Sequence, residues 1–192
     1  RPVALAAPAE VSDSYDVTFG YTGPFTATAR GLIPAMTFDG SINNGDFQCY
    51  PVEVPAGTTY ARFSLFDSET APASDLDLYV FLDSTSAQVG GSGSGTSDEE
   101  VNFVDPAADT YWSCVDVYAT ANPSTYTLFA WVLGSADAGN MTVTAPASAT
   151  LGGTATIDLA FSGLAAGTKY LGSVAYGGTS GMPDPTIVRV DP

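Results

Sequence analysis

Two aspartates one residue apart head the stretch DLDLYVFLD (75–83), and four acids, Asp67, Glu69, Asp75 and Asp77, crowd DSETAPASDLDLY. Oxygen ligands of this kind suit calcium, which takes about 6 to 8 of them from carboxylates and backbone carbonyls. Asp75, Asp77, Asp67 and Glu99 are the calcium candidates, although no EF-hand spacing accompanies them. A period of two along a strand puts Asp75, Asp77, Tyr79 and Phe81 on one face and Leu76, Leu78, Val80 and Leu82 on the other. The leucine face belongs in a core, and the aspartates meet either water or a cation.

Nucleophilic catalysis lacks its usual base. The chain has no histidine, so neither a Ser-His-Asp nor a Cys-His arrangement can form. GGTSGMPDP (177–185) imitates a serine nucleophile segment around Ser180, but it lies between strands with no following helix signal, and reads as a loop. Lys169, the sole lysine, sits in KYLGSVAY without the S-x-x-K spacing of a Ser-Lys pair. A carboxylate pair across a cleft, about 5 to 10 Å apart, is a third route to hydrolysis, but 21 acids supply such pairs by chance. The usual zinc sites are excluded too, with no histidine and only Cys49 and Cys114 as thiols. One disulfide between these two is the first expectation, and two buried free thiols the alternative.

The elements that hold these residues are strands. Short alternating segments rich in Val, Thr, Tyr and Phe recur between Gly, Pro, Asp and Ser turns, with almost no helical period. The predicted strands are 2–8, 14–21, 25–31, 47–54, 60–66, 76–82, 100–104, 110–119, 125–133, 140–145, 155–161, 169–176 and 186–190. GGSGSGTS (90–97) reads as a turn and the most mobile one. Core packing is the first expectation for both Trp112 and Trp131, while Tyr21, Phe25, Tyr50 and Tyr118 could form an exposed strip.

Charge and repetition divide the chain. With 5 Lys and Arg against 21 Asp and Glu, the net charge of -16 repels nucleic acid and anionic membranes. Most acids lie in 37–137, together with one basic residue, Arg62. No apolar run reaches the roughly 18 residues of a membrane span, and the chain opens on no recognisable signal peptide. VALAAPAEV and MTVTAPASAT share an alternation running into Ala-Pro-Ala. The expected fold is therefore all-β, with two antiparallel β-sandwiches. One, from 1–36 and 138–192, is immunoglobulin-like, and the other, 37–137, is inserted into it; two consecutive domains with a small N-terminal piece are the alternative.

SDLDLYVF (74–81), EEVNFVDPAADTYWSCVDVY (99–118) and STYTLFAWVLG (124–134) resemble, in that order, the bacterial pre-peptidase C-terminal domain, a jelly-roll-like sandwich. The family usually carries Gly before the Thr-Tyr pair, where this chain has Asp109. RPVALAAPAEV, VTFGYTGPFTATARGL, the 141–178 stretch and TIVRVD resemble the fibronectin-III-like ends of actinobacterial subtilisin-like proteases. These resemblances imply a non-catalytic C-terminal accessory region of a secreted protease, a monomer whose first partner is the parent protease domain. A binding module for an insoluble protein or polysaccharide is the alternative they leave open.

Overall fold

The computed structural model describes residues 11–120 and 122–192, so the strand expected over 2–8 lies outside the described residues. The first strands are β1 (Val11–Thr18), β2 (Gly23–Pro24) and β3 (Thr26–Pro34). Then follow β4 (Met36–Ile42), β5 (Phe47–Val54), β6 (Tyr60–Leu65), β7 (Thr70–Ala71), β8 (Asp75–Leu82) and β9 (Gln88–Ser92). The chain continues through β10 (Glu99–Val104), β11 (Asp109–Ala119) and β12 (Ser124–Leu133). It closes with β13 (Met141–Thr144), β14 (Ser148–Ala149), β15 (Thr154–Phe161), β16 (Tyr170–Gly177) and β17 (Thr186–Val190). Among the described residues no helix is long and apolar enough to cross a membrane.

The chain is all-β, built of several antiparallel sheets. The contacts of the described residues divide the chain into a split unit, 11–33 together with Ala136–Pro192, and a central unit, Pro34–Ser135. In the central unit β10-β6-β12-β4 form one sheet, with β7 added on β12, and β5-β11-β8-β9 form another. The two sheets close on one core, to which Ile42, Phe63, Leu65, Val101 and Leu128 come from the first and Val52, Leu76, Leu78, Val80, Tyr111 and Val115 from the second. Leu76, Leu78 and Val80 are fully buried, as the alternation in DLDLYVFL requires. In the split unit β1-β15-β13, β17-β16-β3 and the short pair β14-β2 surround Phe19, Phe25, Leu32, Ile157, Leu159 and Val174.

Two longer strands, β4 and β9, and the two-residue strands β2, β7 and β14 are absent from the sequence reading. GGSGSGTS is not simply a turn, because Gly90, Gly91 and Ser92 belong to β9 and pair with β8. A Cβ at Gly90 would stand 2.4 Å from Val101 Cγ1, and one at Gly91 3.1 Å from the Tyr79 ring. These glycines therefore admit neighbouring side chains to a strand. β4 went unread, and the expected boundary at residue 36 falls on its first residue. In the turn before β11 left-handed backbone falls at Asp105 (φ 45°), and Asp109 starts the strand.

Candidate functional site: an aromatic sheet face over a disulfide

The face of β5-β11-β8-β9 turned away from the core is set by register. Trp112 stands opposite Pro51 on one side and Phe81 on the other; Cys114 stands opposite Cys49 and Tyr79; Asp116 stands opposite Phe47 and Asp77. Cys49 and Cys114 form a disulfide between directly opposed residues, with Cα atoms 4.0 Å apart. Its sulfurs underlie a shallow cleft of about 270 Å³ bounded by Phe47, Phe81, Trp112 and Asp83. Phe47 and Phe81 meet edge-on at 6.3 Å. The Trp112 indole donates from Nε1 to Asp83 Oδ1 at 2.9 Å, which fixes the ring while leaving it half-buried.

A bulge in β11 extends this face. Val117 pairs with Leu76 and Ala119 with Asp75, so Tyr118 is the extra residue, and its side chain is 78% exposed. Bulges re-aim side chains in this way. Tyr118 joins Tyr79, Asp77, Gln88, Gly91 and Ser92 around an open concavity of about 520 Å³. Phe47, at 52% exposure, is the other strongly exposed ring of the face. Trp131 is fully buried, as expected, but Trp112 is not a core residue. Of the four aromatic side chains left open as a strip only Tyr118 lies on this face: Tyr50 packs against the central core, and Tyr21 and Phe25 belong to the split unit.

Three of the four acids named as calcium candidates, Asp67, Asp77 and Glu99, have local hydrogen-bond partners. Asp67 accepts from the Ser97 backbone N–H at 2.7 Å, and its own N–H donates to Asp98 at 2.8 Å. Glu99 is 2% exposed and accepts from the Ser94 N–H at 2.7 Å and from the Ser92 hydroxyl. Asp75 Oδ1 is buried without a hydrogen-bond partner. Among the described residues no three Asp, Glu, Cys or His side chains come together in a way that could hold a metal ion.

Asp77 titrates abnormally. Burial pushes its carboxyl above the ordinary 3.8, a hydrogen bond from Tyr79 Oη (3.2 Å) pulls it partly back, and Asp75, Glu99 and Asp116 push it up further. Because the folded-state pKa exceeds the unfolded one, ionised Asp77 costs stability at neutral pH. That cost is absent below the unfolded value, where both states are protonated, and reaches full size above the folded one. Asp77→Asn is therefore expected to stabilise at pH 7 by less than about 1 kcal/mol, since solvent screens a half-exposed group. At pH 3 melting temperatures of the two chains should coincide, and a difference independent of pH would contradict this assignment.

These features define an all-β chain that presents a rigid aromatic face. Residues 46–119, which span β5 to β11, match the model of the bacterial pre-peptidase C-terminal domain, so the chain contains such a domain. The crystal structure of Aeromonas hydrophila PliG, a periplasmic lysozyme inhibitor of g-type lysozyme, is a weak structural match at 15% identity and a TM-score of 0.37, covering 53% of this chain and 89% of that one. No curated protein matches the chain.

Proposed function

We propose that the chain is a non-catalytic binding module that docks on an insoluble protein or polysaccharide through the outer face of β5-β11-β8-β9. One observation carries this reading: Phe47, Tyr79, Phe81, Trp112 and Tyr118 project from a single face of one disulfide-tied sheet. Flat rings fixed by a backbone ladder give contact area at little entropic cost, which suits a repeating surface. Charge narrows the partner. Arg62, the sole basic residue of the central unit, lies on the other sheet against Glu100 (3.3 Å), so the aromatic face offers carboxylates alone and favours a neutral or cationic polymer.

Co-sedimentation with collagen, elastin, chitin and cellulose tests this. The chain is expected to be retained on at least one of them, and Trp112→Ala to weaken that retention about 30-fold, the effect of losing a 2 kcal/mol anchor. Passage through all four, or equal retention of the variant, would overturn the reading.

A second reading is favoured by the matched domain, whose family description places it at the C-terminus of pre-peptidases. In it the chain is the accessory region of a secreted subtilisin-like protease, a monomer serving the folding, export or stability of that protease domain. The central unit is then the jelly-roll-like sandwich, and the split unit the fibronectin-III-like one that carries it. The disulfide supports an extracellular location, since such bonds persist in oxidising compartments.

A further inference from the structure

GGTSGMPDP, which fails as a nucleophile segment, forms one wall of a cavity of about 460 Å³ in the split unit. The floor is a chain of rings. Phe19 meets Tyr21 edge-on at 6.4 Å and Phe25 at 5.0 Å, and Phe25 stacks on Tyr176 at 6.0 Å. Thr179 to Pro183 stand over these rings, with the Met182 thioether among the lining groups. Gly178 makes that approach possible: at φ +115° its backbone runs so near Pro24 that a Cβ would lie 2.1 Å from the Pro24 carbonyl oxygen.

The lining chemistry selects a ligand class. No Asp, Glu, Lys, Arg, Asn or Gln side chain lines the cavity, in a chain of net charge -16. A cation finds no carboxylate there, an anion meets the field of the whole chain, and vicinal sugar hydroxyls find no side-chain amide or carboxylate to bridge. The ring hydroxyls are already engaged: Tyr21 donates to the Pro24 carbonyl at 2.6 Å, and Tyr176 bonds Tyr15 at 2.6 Å and Thr186 at 2.5 Å. What stays open is apolar ring surface, edged by the peptide groups of Thr179–Met182, which make no hydrogen bond among the described residues. An apolar cup beside open main-chain donors and acceptors fits an extended peptide with one anchoring side chain.

We propose that this cavity is a peptide-docking site that takes one apolar side chain of an extended, uncharged polypeptide segment, whose main chain pairs with residues 179–182. It is independent of the aromatic sheet face, which belongs to the other unit.

Amide NMR of the full chain during titration with N-acetyl-L-phenylalaninamide tests the proposal. Saturable shifts are expected at Gly20, Tyr21, Gly181 and Met182, with a Kd on the order of 10 mM for one anchored ring. 2-Phenylethanol, which has the ring without the peptide groups, should bind about fivefold more weakly, and N-acetylglucosamine should shift none of these amides. Met182→Asp should abolish the phenylalaninamide shifts while leaving the rest of the spectrum in place. Absence of shifts in the wild-type chain, equal binding of 2-phenylethanol, saturable binding of the sugar, or undiminished binding by a folded Met182→Asp chain would each overturn it.

Discussion

Replacing both Cys49 and Cys114 by alanine is expected to cost the central unit about 4 kcal/mol, the chain-entropy value for a cross-link over a separation of 65 residues. The bond joins β5 to β11 in register, so the native ladder needs no rearrangement to accept it. Its removal frees the unfolded chain and leaves the folded one nearly as it was. Both tryptophans, Trp112 and Trp131, lie in the central unit, so urea unfolding followed by their fluorescence reports this unit. A midpoint that moves by less than the equivalent of 1 kcal/mol would show that β5 and β11 stay tethered without the bond.

Phe63→Ala is expected to cost about 3 to 5 kcal/mol by loss of transfer energy and opening of a cavity. Its ring is fully buried, stacked on Tyr111 of the opposing sheet at 6.3 Å and edge-on to Phe103 at 6.0 Å. No partner ring can follow the missing one without leaving its own strand, so the void cannot close cheaply. The same urea experiment checks this, and a loss below about 1.5 kcal/mol would mean that the two sheets can settle towards each other.

Strands with unbroken alternation were legible in the sequence. Phe47–Val54 and Thr186–Val190 carry the same bounds in both readings, and DLDLYVFL sorts its two faces as its period of two demands. β4 and β9 were missed because glycine was read as punctuation. At Gly40 a Cβ would stand 2.3 Å from Tyr126 Cζ and 2.6 Å from the Tyr50 hydroxyl, so the glycine there makes room for a packed tyrosine pair. That pair is joined at 2.9 Å and also bonded to Gln48, and no local pattern announces a contact made across three strands.

The aromatic face shows a different limit. Alternation separates Trp112 from its neighbours but says nothing about which side of the sheet is covered, so Trp112 and Trp131 look alike in sequence while one is half-buried and the other fully buried. Tyr118 owes its exposure to a bulge, a register slip that only the paired strand defines. Asp75 and Asp77 have their face legible from the first, whereas the unpartnered oxygen of Asp75 and the raised carboxyl of Asp77 depend on β9, β10 and β11 arriving beside them.

Acrylamide quenching of tryptophan fluorescence, with and without the polymer that retains the chain, tests the proposed docking face most directly. Trp131 is fully buried, so quenching of the free chain comes from Trp112. Docking through the outer face of β5-β11-β8-β9 predicts that polymer shields Trp112 and quenching falls towards that of a buried indole. A chain held on the polymer with its quenching unchanged would place the contact elsewhere and contradict the account.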